Sequence, residues 1–123
     1  MFNLITKDII KATISNDINQ VKKLSETMNI DFKNKDGKSA LFYACINGNI
    51  DICKFLISQG ARIDCRDDRN LMPVHYALIN NNNDIVELLC KIGNFDLECI
   101  KSEIENIELK DKRLILKIIK MIF

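Results

Sequence analysis

His75 is the only histidine among 123 residues, so a histidine-dependent dyad or a metal cluster has a single candidate. An imidazole titrates near neutral pH and can act as base or ligand, but either role needs suitably placed partners. Its polar neighbours in the chain are Cys65, Asp67, Asp68 and Tyr76, and their spacing matches no catalytic pattern. An enzyme would need a pocket that gathers His75 with two acids. Ser39 lacks the G-x-S-x-G turn that exposes a nucleophilic serine, and no base is specified for it. The cysteines are Cys45, Cys53, Cys65, Cys90 and Cys99. No pair has C-x-x-C spacing, which argues against structural zinc. Their number is odd, and Cys45, Cys53 and Cys90 fall on apolar helix positions, where thiols pack as small hydrophobes. That pattern fits a reducing compartment, the cytosol or nucleus. The four glycines each end a helix or form a turn, so no phosphate-cradling loop exists. No catalytic, cofactor-binding or metal-binding residue is assigned, and the expectation is a protein that is not an enzyme.

Composition narrows the partners. The formal charge is +1, so no global field draws the chain to nucleic acid or an acidic surface. Tryptophan is absent and proline occurs once, which excludes proline-rich recognition. The first residues, MFNLITKDII, place a lysine and an aspartate too early for a secretory signal. No apolar run reaches the ~18 residues a membrane span needs. Isoleucine, asparagine and lysine are abundant, as A+T-rich codons produce. That composition permits an effector acting on host proteins and equally a housekeeping adaptor.

The elements that must position any functional residue are clearest between Asp36 and Asp67. Asp36-Gly37 opens a turn, and Ser39 is placed to cap a helix. Leu41, Ala44 and Cys45 recur at helical spacing, and Gly48-Asn49 ends that helix. Ile52, Cys53, Phe55 and Leu56 form a second stripe, stopped by Gly60. One such pair of helices cannot bury both of its apolar stripes alone. Its neighbours follow at one common spacing: Ala44 recurs as Ala77, Leu56 as Leu89, and Gly60 as Gly93.

A period of about 33 residues with turn-helix-helix content resembles the ankyrin repeat. Met72-Pro73-Val74-His75-Tyr76-Ala77 is similar to the family's TPLHxA box, and Gly48, Gly60-Ala61 and Asp64 match its glycine and loop positions. The resemblance implies an all-α solenoid of stacked helix-turn-helix units joined by hairpin loops. It also implies that His75 hydrogen-bonds to the loops rather than doing chemistry. Residues 1–33 read as a degenerate first repeat, with Asn16-Asp17-Ile18 standing where Gly48-Asn49-Ile50 stands later. Residues 34–66 and 67–99 are the second and third, with Asn70 replacing Gly37 and Asn81 replacing Gly48. Asparagine tolerates the left-handed backbone conformation best after glycine.

Residues 100–123 read as a C-terminal cap. Ser102-Glu103-Ile104-Glu105 has the pattern of a capping box, and Asp111 can cap a last helix from Lys112 to about Met121. Leu116-Lys117-Ile118-Ile119 resembles Val86-Glu87-Leu88-Leu89, as in a worn fourth repeat. The apolar arc of this helix looks too wide for one watery side. Packing within the chain, a homodimer through Leu114–Phe123, or attachment to a membrane surface would each account for it.

The resemblance implies a non-catalytic module, an adaptor or inhibitor, that binds a protein through hairpin tips and the concave side of its first helices. The residues it places there include Lys35, Lys38, Ile46, Asn47, Arg66, Asp68, Arg69, Leu71, Ile79 and Asn80. Ile14, Ile46 and Ile79 are equivalent, and in a row they would form an apolar ridge. A solvated, salt-bridged face is the plainer account of the mixed charges at the tips. The alternative from another class is an assembly protein that self-associates through its last helix.

Overall fold

The computed structural model describes residues 8–107, and among them the chain forms seven helices and no strand. They are α1 (Ile9–Ile14), α2 (Ile18–Ser25), α3 (Ala40–Asn47), α4 (Ile50–Ser58), α5 (Pro73–Ile79), α6 (Asn83–Gly93) and α7 (Leu97–Glu105). Each is too short to persist alone in water, so capping and packing define them. Asp8 accepts the Lys11 N–H at 2.7 Å and Asp17 accepts that of Gln20 at 3.1 Å. Asn49 accepts the Ile52 N–H at 3.1 Å. Pro73 opens α5, where a missing N–H leaves nothing unpaired.

The turns follow the expected chemistry at six positions. Gly37, Gly48 and Gly60 lie at φ 78°, 73° and 88°, and Asn16, Asn70 and Asn81 at 58°, 63° and 58°. Three details differ. Gly93 stays inside α6, and Asn94 takes the left-handed position at φ 53°. Ser39 occupies the cap of α3 but its side chain makes no capping bond. Ser102 lies within α7 instead of starting a helix, because Asp96 caps α7 by accepting the Glu98 N–H at 3.0 Å.

The helices form two rows. First helices α1, α3, α5 and α7 pack side by side, and second helices α2, α4 and α6 pack behind them. Equivalent alanines Ala12, Ala44 and Ala77 are buried between members of the first row, where a small side chain lets backbones approach. Leu41, Phe42, Ile52, Leu56, Tyr76 and Leu89 are buried members of one continuous core. Thr13 stands where Cys45 stands one unit later, and its buried hydroxyl donates to the Ile9 carbonyl at 2.7 Å.

Asparagine amides join successive units. The last carbonyls of a helix have no partner inside it. At the end of α3, the Asn80 side chain donates to the Ile46 carbonyl at 2.6 Å and Asn82 donates to that of Cys45 at 2.7 Å. Asn47 reaches the Thr13 and Ile14 carbonyls of α1 at 3.4 and 3.3 Å. A Cβ added at Gly48 would come within 2.6 Å of Asn82 Oδ1, whereas one added at Gly60 meets nothing.

Both Gly48→Ala and Gly60→Ala force an ordinary side chain into the left-handed region, at about 1–2 kcal/mol. Gly48→Ala should cost about 1 kcal/mol more, because it also displaces Asn82 from the Cys45 carbonyl. Urea unfolding of the two variants checks this; equal midpoints would show that the Asn82 bond to the Cys45 carbonyl adds nothing to stability.

Candidate partner-binding surface

The tip of the third unit is built around Asp67. Its Oδ1 accepts the backbone N–H groups of Arg69 and Leu71, each at 3.0 Å, which shapes the turn. Its Oδ2 accepts the Tyr76 hydroxyl and lies 3.0 Å from the Lys38 ammonium of the preceding tip. Lys38 also stands over the Tyr76 ring, 5.1 Å from its centroid. Burial, reinforced by the bond to Asp67, pushes the Tyr76 hydroxyl far above the ordinary phenol range. In the second unit Asn34 takes the equivalent place: its Oδ1 accepts from Asp36 and Lys38 at 3.0 Å, and its amide donates to Tyr43 at 2.7 Å. The same turn is thus held once by a neutral amide and once by a paired carboxylate. The two tips are also joined through backbone, Asp68 N–H to the Asp36 carbonyl at 3.1 Å.

This arrangement corrects part of the expected surface. Lys38 is 4% exposed, because its ammonium is drawn inward to Asp67. Leu71 is 3% exposed beneath the Asp67 turn. Ile46 is 0% exposed, since α1 and α5 flank α3. Ile79, one unit on, is half-buried and Ile14 is 39% exposed. The three isoleucines therefore form no exposed ridge. The amides of Asn47 and Asn80 are engaged with carbonyls of the preceding unit. Arg66 bonds the Asn70 carbonyl at 2.8 Å and Glu103 at 3.1 Å.

What stays open at the tips is Lys35, Asp36 and Asp68, with Arg69 half-buried beside them. A cleft of about 430 Å³ lies between the tips, lined by Asp36, Lys38, Tyr43, Asp68 and Arg69. Tyr43 was not singled out from the sequence, although its recurrence as Tyr76 at the equivalent place of the next unit is the signal that marks it.

His75 is buried with both ring nitrogens used. Nδ1 accepts the Met72 N–H at 2.9 Å, so Nε2 carries the proton and donates to Glu103 at 3.1 Å. The imidazole ties its own loop to α7, the loop-bonding role the resemblance implies. Among the described residues the acid that meets it is Glu103. Burial lowers its pKa, against the smaller upward pull of Glu103. Burial raises the Glu103 carboxyl, but the hydrogen bond from Arg66 and the nearness of His75 outweigh it and hold it below the ordinary range. Among the described residues no cluster of three His, Cys, Asp or Glu side chains could hold a metal. No helix among them is long and apolar enough to cross a membrane. The expected self-association through Leu114–Phe123 lies outside the described residues.

Side-by-side helix pairs joined tip to tip define a repeat scaffold for holding a protein surface. A family model described as ankyrin repeats, in three copies, matches residues 9–100. The chain belongs to the ankyrin-repeat family and is a protein–protein interaction module. It is similar to palmitoyltransferase ZDHHC13 of Pongo abelii and of Homo sapiens, each 35% identical over 88 residues. The match covers 70% of this chain and spans only 14% of the length of these curated relatives. Ankyrin-repeat domains are generally non-catalytic, and the relatives' name does not make this chain an enzyme.

Lys38→Met should destabilise by roughly 3 kcal/mol, because it leaves the Asp67 carboxylate buried without its cation. Lys38→Met combined with Asp67→Asn should recover much of that loss, since a neutral amide already holds the equivalent turn at Asn34. Chemical unfolding of both checks it; a double variant less stable than Lys38→Met contradicts it. A second outcome concerns pH. The folded state holds His75 neutral below its ordinary value of 6.5, so this stability is whole above 6.5 and declines as pH falls toward the lowered value. Urea midpoints should therefore drop between about pH 7 and pH 5, more steeply than in His75→Gln. Parallel profiles would contradict a buried neutral imidazole.

Proposed function

We propose that the chain is a non-catalytic adaptor or inhibitor that holds a partner protein against its hairpin tips and the concave side of its first helices. The observation that carries this reading is the cleft between two tips that are tied to each other through Asp68, Asp36, Lys38 and Asp67. A surface fixed in advance loses little conformational entropy when it binds. The contacts proposed are Lys35, Asp36, Asp68, Arg69 and Ile79. Mixed charges at a rim set the rate and the selection of partners more than the affinity, which suits Lys35, Asp36 and Asp68. We place the protein in a reducing compartment, the cytosol or nucleus; five free thiols support this, two of them Cys45 and Cys53 with sulfurs 3.9 Å apart.

Affinity capture from native lysate with mass spectrometry tests the reading. Lys35→Glu combined with Ile79→Glu should abolish capture of the proteins retained by the wild type, with an unchanged helical CD spectrum. Ile46→Glu belongs to another class and should unfold the second unit, because Ile46 is fully buried. Retention of the same proteins by the Lys35/Ile79 variant would overturn the proposed face.

A further inference from the structure

The two junctions between units are not built alike. Where the third unit meets the second, Asn80 and Asn82 each donate to a carbonyl of α3, at 2.6 and 2.7 Å. The equivalent residues at the first junction are Asn47 and Asn49. Asn47 divides one amide between the Thr13 and Ile14 carbonyls at 3.4 and 3.3 Å, beyond the usual range for such bonds. Its own Oδ1 is buried with no partner. Among the described residues Asn49 makes no bond across the junction. Its Oδ1 turns back to accept the Ile52 N–H of its own helix at 3.1 Å, a capping bond that Asn82 forgoes. The difference traces to one atom. Asn82 lies against Gly48, where an added Cβ would come within 2.6 Å of Asn82 Oδ1. Asn16 stands at the Gly48 position of the first unit, also left-handed at φ 58°, and it carries that Cβ. Asn49 is thereby kept out of the place that Asn82 takes.

We propose that the Asn16 side chain keeps the first junction unlatched, so that α1 and α2 open together from the stack while the later units stay folded. A second observation points the same way. Val21 is the buried residue of α2, whereas α4 buries Ile52, Cys53 and Leu56, and α6 buries Ile85, Val86 and Leu89. The first unit thus has less apolar area to hold it in place. Two further ties to the second unit, the Arg62 N–H on Asp31 Oδ1 at 3.0 Å and Lys22 over the Phe55 ring at 5.9 Å, lie at the surface. The device is the choice made by Asn49 between capping its own helix and latching the unit before it. Opening would bare the side of α3 that α1 flanks, and every residue of that helix from Ala40 to Ile46 is buried in the closed stack. An apolar surface is thereby hidden or shown by one junction. The inference is independent of the partner-binding face.

Native-state hydrogen exchange of the full-length chain, read by NMR, tests this. In the wild type, amides of α1 and α2 should exchange about tenfold or more faster than those of α3 and α4 after correction for intrinsic rates, as a separate opening requires. Equal protection in the four helices overturns the proposal. Asn16→Gly, a change to the residue that already serves at position 48, should let Asn49 cross to the Thr13 carbonyl. The side-chain amide of Asn49 should then become protected, as that of Asn82 is in the wild type, and exchange in α1 and α2 should slow. Relief of the left-handed conformation slows it too, so Asn16→Gly is also made in an Asn49→Ala background. The slowing should be about threefold greater in the chain that keeps Asn49, the scale of a single neutral hydrogen bond. Equal slowing in the two backgrounds, or an Asn49 side chain that stays unprotected in Asn16→Gly, overturns the latch.

Discussion

A pair of short helices has two apolar faces and can bury only one against itself. Everything here follows from the need for the next pair to cover the other. The cover is apolar at Ala44, Ala77, Ile46 and Tyr76, and polar at the two ends of each junction. At one end, asparagine amides of the later unit bond the last carbonyls of α3. At the other, Asp67 of the later tip receives Lys38 of the earlier one. Each unit is therefore finished by groups that belong to its neighbour, and the surface for a partner is what remains after that demand is met.

That order of demands explains which residues the sequence revealed and which it concealed. The helices, the repeat period and the left-handed asparagines were legible, because they depend on local backbone preferences and on spacing. Asn16, Asn70 and Asn81 all take positive φ as their alignment with glycines suggests. Exposure was harder to read. Lys38, Ile46 and Leu71 sit where the family resemblance points outward, yet each is buried by a contact made across the stack or beneath the tip turn. A lysine reads as solvated until its acid partner is known, and Asp67 belongs to the next unit, two helices further along the chain. The start of α7 also differs from the expected cap at Ser102. Asp96 is the cap that starts α7, and the serine pattern at Ser102 outshone it in the sequence.

The histidine shows how a residue fit for chemistry is taken by structure. Its two nitrogens join the Met72 loop to Glu103 on α7, and burial keeps it neutral. Arg66 meets the same carboxylate. The one imidazole thereby becomes part of the seam between the third unit and the helix that caps it.

Native-state hydrogen exchange on Asn80→Ala/Asn82→Ala tests the central claim most directly, because it reads each helix separately. If units are completed by their neighbours, protection must fall in α3, which contains neither substitution, as much as in α5 and α6. Protection lost in α5 and α6 alone, with α3 unchanged, would show that each pair is stable by its own contacts and would contradict the account.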